Sequence, residues 1–275
     1  MTVRLALFQS RSGIDPAANA ARLVDAVREA AAGGAAMLFT PEMSGMLDRD
    51  RTRALGKARS EDDDIVLAAV RDAARECGLW VHLGSLALKG DDDRLVNRGF
   101  VIDAAGAVRG RYDKIHLFDV DLPTGESWRE SAMYRAGSQS VVVRDTPVGT
   151  LGLTICYDLR FPALFQRLSE AGADLIAVPA AFTVPTGQAH WHVLLRARAI
   201  ESACFMVAAA QAGHHEDGRD TYGHSLVANP WGEVLAEAAD DTGVTFADID
   251  FAAVAEVRGR IPVIAHRRPI GPVAN

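Results

Sequence analysis

The chain is poor in the features that mark several common protein classes. Its 275 residues include only three cysteines, an odd number without a Cys-x-x-Cys pair, which disfavours a disulfide framework and a cysteine-rich metal site. No apolar run reaches the roughly 18 residues that a membrane span needs, and the first apolar run is too short for a secretory signal. We therefore expect a protein of a reducing compartment, the cytoplasm.

Positive charge is also scarce. The 29 Lys and Arg residues are outnumbered by 36 Asp and Glu residues, so the net charge is −7. Nucleic-acid binding requires a broad basic surface that neutralises phosphates, so we expect neither nucleic acid nor a membrane as a partner. The length suits one large α/β domain, and no linker or low-complexity block interrupts the chain. We predict a single domain over residues 1–275.

Strand and helix patterns alternate along the chain. The apolar periodicity, the turn residues and the helix caps define these elements. The predicted strands cover residues 3–9, 36–40, 79–88, 148–155, 175–179 and 204–211, the predicted helices cover 17–32, 60–76, 162–171 and 188–202, and hairpins are predicted at 98–112 and within 223–250. Repeated β–α units interleaved with hairpins predict mixed sheets covered by helices.

The most informative residue is Cys156, which follows the predicted strand 148–155 and precedes a helix opened by Pro162. A strand-to-helix junction presents a side chain at the open end of a sheet. The positive end of the helix dipole would favour the thiolate over the thiol. Cys156 is therefore a candidate nucleophile that needs a base and an oxyanion stabiliser.

Two further charged residues also follow predicted strands. Glu42 comes after strand 36–40, and Lys114 lies at the end of the strand that contains Tyr112. Each of them alone is more typical of a solvated loop, but together they could supply the base and the oxyanion stabiliser. None of the eight histidines stands out as the base.

The remaining cysteines, histidines and tryptophans favour structural interpretations. Cys77 and Cys204 are interpreted as packing residues. The His214-His215 pair could begin a metal loop, but no third ligand has suitable spacing, so a solvated loop is preferred. The tryptophans are interpreted as core residues or pocket walls: Trp80, Trp128, Trp191 and Trp231.

Three motifs together resemble the nitrilase superfamily of carbon–nitrogen hydrolases. They are Phe39–Glu42 (FTPE), Tyr112–Asp119 (YDKIHLFD) and Ile155–Pro162 (ICYDLRFP), with Glu, Lys and Cys in the family order. Further stretches resemble the Nit branch, at 189–201, 222–225, 229–232 and 261–269. The resemblance covers nearly the whole chain.

The resemblance implies roles for the site residues. Glu42 would be the general base, Lys114 the oxyanion stabiliser and Cys156 the nucleophile, with the Tyr157 N–H completing the oxyanion hole. A second carboxylate is expected between the lysine and cysteine motifs. Glu130 matches that position, and Glu126 is a lower-ranked rival. No metal or organic cofactor is implied.

The resemblance also implies an architecture and a substrate class. The fold would be a four-layer αββα sandwich, paired as a homodimer or higher homo-oligomer, with the tail from about 261 packing at the interface. The implied reaction is hydrolysis of a small carboxylate-bearing amide, deaminated glutathione, because the run 207–211 resembles that type within the branch. The alternatives are an ω-amidase acting on α-ketoglutaramate or α-ketosuccinamate, a thiol-dependent N-acyltransferase, and a catalytically silent scaffold.

Four residues are candidates for substrate binding. Arg160 could hold a substrate carboxylate bidentately, or it could pair with Asp158. Tyr157, Phe182 and Thr183 are expected to contribute to the pocket, the last two at the end of the strand 175–179.

Overall fold

A computed structural model describes residues 2–90, 92, 94–121, 125 and 127–274. The helices of this part of the chain are α1 (Pro16–Ala32), α2 (Arg51–Lys57), α3 (Ile65–Cys77), α4 (Pro162–Glu170), α5 (Val184–Ser202) and α6 (Ala252–Arg260). The strands are β1 (Thr2–Gln9), β2 (Met37–Phe39), β3 (Trp80–Lys89), β4 (Leu95–Ile102), β5 (Val108–Asp113), β6 (Asp119–Asp121), β7 (Ser127–Arg129), β8 (Tyr134–Arg135), β9 (Val141–Thr146), β10 (Gly149–Leu153), β11 (Leu175–Ala177), β12 (Phe205–Ala208), β13 (Ala212–His214), β14 (Asp220–Tyr222), β15 (Leu226–Ala228), β16 (Val234–Glu237) and β17 (Gly243–Asp250).

Two large mixed sheets dominate the described part of the chain. The first has the strand order β17-β1-β2-β3-β4-β5, with β8 also paired to β4, and the second has the order β16-β15-β12-β11-β10-β9. The centre of each sheet is parallel, through β1, β2 and β3 in the first and through β10, β11 and β12 in the second. Antiparallel strands flank both centres, as expected from β–α units interleaved with hairpins.

Successive side chains of the first sheet point into two different cores. In β1, Leu5 and Leu7 belong to one cluster with residues of the second sheet, while Ala6 belongs to another cluster with α1 and α3. In β2, Phe39 joins the first cluster and Leu38 the second. This two-residue alternation is what a strand with both faces buried requires.

Helices cover the outer faces of both sheets. Leu23 of α1 and Val70 of α3 pack on the first sheet, and Phe165 of α4 and Trp191 of α5 pack on the second. The order of layers is therefore helix, sheet, sheet, helix. The prediction of a four-layer αββα sandwich is confirmed.

The helix caps follow from the local sequence. Asp15 accepts a hydrogen bond from the Ala17 N–H at the start of α1, and Asp64 accepts from Val66 N–H and Leu67 N–H at the start of α3. Gly78 ends α3 with φ 63°, a left-handed conformation that glycine adopts without strain.

The sequence prediction missed eight of the described elements. These are the helices α2 and α6 and the strands β6, β7, β8, β9, β13 and β14. Each helix buries a single residue, Ala54 in α2 and Val254 in α6, so neither shows the apolar periodicity that marks a helix. β9 buries only Val143.

Several predicted bounds were also wrong. α3 begins at Ile65 rather than at residue 60, because Asp64 is its cap. α5 begins at Val184 rather than at 188, since Pro185 is tolerated in a first turn. The predicted strand 204–211 is regular only over Phe205–Ala208.

The interpretation of Trp231 was wrong. It was expected in the core or in a pocket wall, but it is 51% exposed. In the tail after α6, Arg267 donates to the Gln166 carbonyl and lies 3.2 Å from a carboxylate oxygen of Glu170, both in α4 of the same chain. No helix among the described residues is both long and apolar enough to cross a membrane.

Candidate active site

Three side chains that follow strands meet in one buried cluster. Glu42 follows β2, Lys114 follows β5 and Cys156 follows β10. Lys114 Nζ lies 2.8 Å from Glu42 Oε1, and the Cys156 thiol is close enough to both groups for their charges to act on it. Lys114 is only 2% exposed. The sandwich thus brings together residues that are far apart in the sequence.

The loop that carries Glu42 is held by neighbouring segments. The Gln211 side chain donates to the Glu42 backbone carbonyl over 2.9 Å, and the Ala181 N–H donates to Glu42 Oε2 over 3.0 Å. A Cβ at Gly84 would lie 2.1 Å from the Thr40 carbonyl, so only glycine allows β3 to approach this loop. Glu42 is therefore held in place by contacts to its backbone and to its carboxylate.

Cys156 occupies a strained backbone conformation at the end of its strand. Its φ is 51°, in the left-handed region that L-residues other than glycine, asparagine and aspartate seldom adopt. The Cys156 N–H donates to the Pro179 carbonyl over 2.8 Å. A short 3-10 turn, Cys156–Arg160, begins at this residue, so the Tyr157 N–H belongs to a first turn whose N–H groups have no partner within the turn.

Asp158 connects the cysteine turn with the strand that leads to Lys114. This fully buried carboxylate accepts hydrogen bonds from the Tyr112 hydroxyl at 2.7 Å, the His116 N–H at 3.1 Å and the Ile155 N–H at 2.9 Å. His116 Nδ1 also lies 2.6 Å from it. A fully satisfied buried network of this kind fixes the relative positions of the two segments.

Arg160 is directed away from Asp158, toward His190 and two aromatic rings. Its Nη1 lies 3.2 Å from His190 Nδ1, and its guanidinium lies over the rings of Tyr157 and Phe182 at 5.9 and 5.5 Å. Within the described residues it forms no ion pair with Asp158 or with any other carboxylate. The guanidinium therefore keeps its capacity to bind an anion.

Electrostatics keep the Glu42–Lys114 pair ionised. Burial by itself would raise the pKa of Glu42, but the charge and hydrogen bond of Lys114 hold that pKa below its usual value. Burial would lower the pKa of Lys114, but the charges of Glu130 and Glu42 raise it well above the usual value. A carboxylate and an ammonium thus face each other in a site shielded from water.

The expected thiolate at Cys156 was wrong. Burial, followed by the negative charge of Glu42, raises the pKa of the thiol well above 9.0, despite the opposing charge of Lys114. The resting site therefore holds a neutral thiol beside an ionised carboxylate. A thiol in this state needs a base that accepts its proton before it can act as a nucleophile.

This protonation state predicts the pH dependence of alkylation. Since the raised pKa leaves Cys156 as a thiol at neutral pH, we expect its reaction with N-ethylmaleimide to accelerate continuously as the pH rises from about 6 to beyond 9. Peptide-level mass spectrometry follows Cys156 separately from half-buried Cys77 and buried Cys204. A rate that levels off below pH 7 would show a preformed thiolate instead.

Glu130 supplies a second carboxylate beside the lysine. Its Oε2 accepts from Lys114 Nζ at 2.9 Å and from the Phe118 N–H at 2.6 Å. Asn97 Nδ2 donates both to Glu42 Oε1 at 2.9 Å and to Glu130 Oε1 at 3.3 Å, which links the two carboxylates. The rival candidate, Glu126, lies outside the described residues.

The cluster opens into a cavity of about 480 Å³. Tyr157, Phe182 and Thr183 line it, together with Arg160. Sequence reasoning missed Asn97, which no motif marks because it lies inside β4, and it missed Arg49, which lies in the irregular segment before α2. Arg49 and Trp128 also line the cavity.

The carbon–nitrogen hydrolase family model matches residues 4–259. The chain belongs to this family. It is 41% identical to the bovine deaminated glutathione amidase over 271 residues, which are 96% of this chain and 82% of that protein. It is an amidase of the nitrilase superfamily, as its motifs predicted.

Solved structures agree with the family assignment. The crystal structure of the Caenorhabditis elegans NitFhit protein superposes with a TM-score of 0.91 at 38% identity, over 97% of this chain and 65% of that one. A glutamate-to-glutamine mutant of the amidase from Nesterenkonia sp. AN1 superposes with a TM-score of 0.81 at 26% identity, over 97% and 94% of the two chains. That mutant carries the acetamide moiety of fluoroacetamide, added covalently at its active-site cysteine.

Proposed function

We propose that the enzyme hydrolyses its amide through a thioester on Cys156. Glu42 accepts the thiol proton as the sulfur attacks the amide carbonyl, which forms a C–S bond and a tetrahedral oxyanion. Lys114 Nζ and the Tyr157 N–H stabilise that oxyanion. Collapse of the intermediate breaks the C–N bond, and the proton held by Glu42 passes to the leaving amine. The buried contact between Lys114 and Glu42 supports this proposal.

Hydrolysis of the thioester uses the same groups in a second step. Glu42, again ionised, takes a proton from water as the water oxygen attacks the thioester carbonyl. The C–S bond breaks, the sulfur leaves as the thiol with the proton from Glu42, and the acid is released. In both steps Glu130 keeps Lys114 oriented, because it contacts the ammonium through both of its oxygens.

A row of aromatic rings in the cavity supports a substrate with two carboxylates. Trp128 contacts Phe118 with ring centroids 6.4 Å apart, and Phe118 contacts Tyr157 at 5.1 Å. Arg49 lies 5.7 Å from the Trp128 ring, and Arg160 lies 5.9 Å from the Tyr157 ring. Neither arginine forms an ion pair with a described carboxylate. One guanidinium is therefore available at each end of the row.

Deaminated glutathione fits this arrangement. Its oxoglutaryl end keeps an α-carboxylate and its glycine end carries a second one, with the scissile amide between them. Arg160, four residues beyond Cys156, would hold the oxoglutaryl carboxylate, and Arg49 would hold the glycine carboxylate. The row of rings is the observation that favours this substrate over the shorter ω-amides, and the name of the bovine relative agrees with it.

A comparison of two substrates with two arginine variants tests the proposal. Arg160→Met should lower kcat/KM about 10- to 100-fold for both deaminated glutathione and α-ketoglutaramate, since both carry the oxoglutaryl carboxylate. Arg49→Met should lower it by a similar factor for deaminated glutathione alone. Steady-state release of cysteinylglycine and of ammonia measures the two reactions.

Arg51→Met is the matched control. Arg51 is an exposed arginine two residues from Arg49, and it does not line the cavity. We expect this variant to retain wild-type kcat/KM for both substrates. Equal losses for the two substrates in Arg49→Met, or faster turnover of α-ketoglutaramate than of deaminated glutathione by the wild type, would contradict the assignment and favour an ω-amidase.

We also propose that the enzyme is a cytoplasmic homo-oligomer. Supporting this, α5 carries two exposed apolar side chains, Val193 and Ile200, 68% and 51% exposed, and Trp231 is 51% exposed nearby. Gly232, next to Trp231, approaches Ile200 closely. Exposed apolar side chains on one helix and beside it favour an interface with a second copy. Packing of the tail from about 261 against the second copy remains part of the same proposal.

A further inference from the structure

Three potential metal ligands converge on the surface, away from the residues that line the cavity. His192 Nε2 lies 2.9 Å from Glu237 Oε1, and His224 Nδ1 lies 2.7 Å from the same oxygen. The three donor atoms all lie within 4.8 Å of one another. They come from three segments, namely α5, the turn after β14, and β16. Neither the histidine pair at 214 nor any local sequence motif indicated this cluster.

We propose that His192, His224 and Glu237 bind a divalent transition-metal ion, with Zn²⁺ as the best match. Two imidazoles and one carboxylate form a donor set that Zn²⁺ takes in proteins, with water in its fourth position. Tetrahedral bonds of about 2.0–2.1 Å would require the two nitrogen-to-oxygen distances, 2.9 and 2.7 Å, to lengthen by about 0.5 Å. All three side chains are partly exposed, so an ion can reach them from solvent.

Contacts from outside the cluster fix the position of His224. Its φ is 56°, in the left-handed region, where histidine is more frequent than most residues other than glycine. The Trp191 indole N–H donates to the His224 carbonyl over 2.8 Å, and the Tyr222 ring stacks on the imidazole at 4.3 Å. These two contacts hold the backbone and the ring of His224 in place beside Glu237.

A further carboxylate lies behind the cluster. Asp240 Oδ1 is 3.8 Å from His224 Nε2, the ring nitrogen that faces away from Glu237. This distance is too long for a hydrogen bond, and the Asp240 side chain is 97% exposed. Asp240 therefore adds only negative charge near the cluster.

Titration with Zn²⁺ tests the proposal. We expect isothermal titration calorimetry at about pH 7.5 to show binding to the full chain that weakens about 10- to 100-fold in His224→Ala and in Glu237→Gln. His214→Ala is the matched control, since His214 is also exposed and lies 2.9 Å from Asp220. It should bind as the wild type does. Wild-type affinity in both test variants would overturn the site.

A spectroscopic measurement on the unaltered protein makes the test independent of variant folding. In ¹⁵N–¹H correlation spectra of the imidazoles, one equivalent of Zn²⁺ should shift Nε2 of His192 and Nδ1 of His224 and leave the His214 signals in place. Lowering the pH should reverse the shifts, because protons compete with the metal for these nitrogens. Shifts confined to other histidines, or no shift at saturating Zn²⁺, would refute the proposal.

Discussion

Glu42→Gln should lower kcat about 10³-fold, because the proposed base of both chemical steps is replaced by an amide that cannot accept a proton. Glutamine keeps the size of the side chain and an oxygen for Lys114 Nζ and Asn97 Nδ2. Its NH₂ group would then face the Ala181 N–H, a donor beside a donor. Steady-state kinetics measure the loss, and circular dichroism confirms that the variant is folded.

Glu61→Gln is the control for a carboxylate that bridges cations outside the site. Glu61 accepts from Arg98 at 2.9 Å and from Arg111 at 2.7 Å, and it does not line the cavity. We expect kcat to stay at the wild-type value. If Glu42→Gln also retained near wild-type kcat, another group would have to be the base, and the proposed role of Glu42 would be wrong.

Lys114→Met should lower the stability of the fold as well as the activity. The substitution leaves Glu42 buried without its cation and removes the ammonium that Glu130 contacts with both oxygens. Removing one partner of a buried pair costs about 3–5 kcal/mol, and losing an oxyanion donor costs about 10²- to 10³-fold in kcat. Urea denaturation and steady-state kinetics measure the two losses.

The pH dependence separates the electrostatic cause from lost packing. In the wild type the pKa of Glu42 is lowered in the folded state, so this group stabilises the fold above its unfolded pKa of about 4.3, and the contribution is lost as the pH falls. Without Lys114, burial raises the pKa of Glu42 in the folded state instead. Protonation of Glu42 at low pH then removes the uncompensated charge and restores part of the stability that the variant has lost. The stability difference between the variant and the wild type should therefore shrink from pH 7.5 to pH 5.

Lys57→Met is the control for this comparison. Lys57 is half-buried and its Nζ donates to the Ile14 carbonyl over 2.6 Å, so the variant loses one polar contact but leaves no carboxylate uncompensated. We expect a small loss of stability that does not vary with pH in this range, and unchanged kcat. A Lys114→Met effect that is equally independent of pH would rule out charge pairing as its cause.

The mixed sheets covered by helices were predictable because their central strands carry strong local signals, whereas the four-layer arrangement followed from the family resemblance. β1 and β2 are short apolar runs that end at polar residues, and α1 has both a cap and a stop signal. α2 and α6 were not predictable, since each buries one residue. Their positions depend on packing against segments that are distant in the sequence, and no local pattern reports such packing.

The residues of the candidate site also divide into those with a local sequence signal and those without one. Glu42, Lys114 and Cys156 could be proposed because each follows a strand within a motif that resembles the family. Asn97 could not, because an asparagine in the middle of a buried strand has no local signature, although it contacts both carboxylates. The protonation state of Cys156 was mispredicted, since the helix dipole is visible in the sequence whereas burial beside Glu42 is not.

Partitioning of a common acyl-enzyme tests the central claim most directly. Deaminated glutathione and α-ketoglutaramate share one acyl group and differ in the leaving amine, so a thioester on Cys156 must be the same species from both. With methanol added as a competing nucleophile, the ratio of methyl ester to free acid should be identical for the two substrates at every methanol concentration. Ratios that differ between the substrates would mean that no shared acyl-enzyme forms, and the thioester mechanism would be wrong.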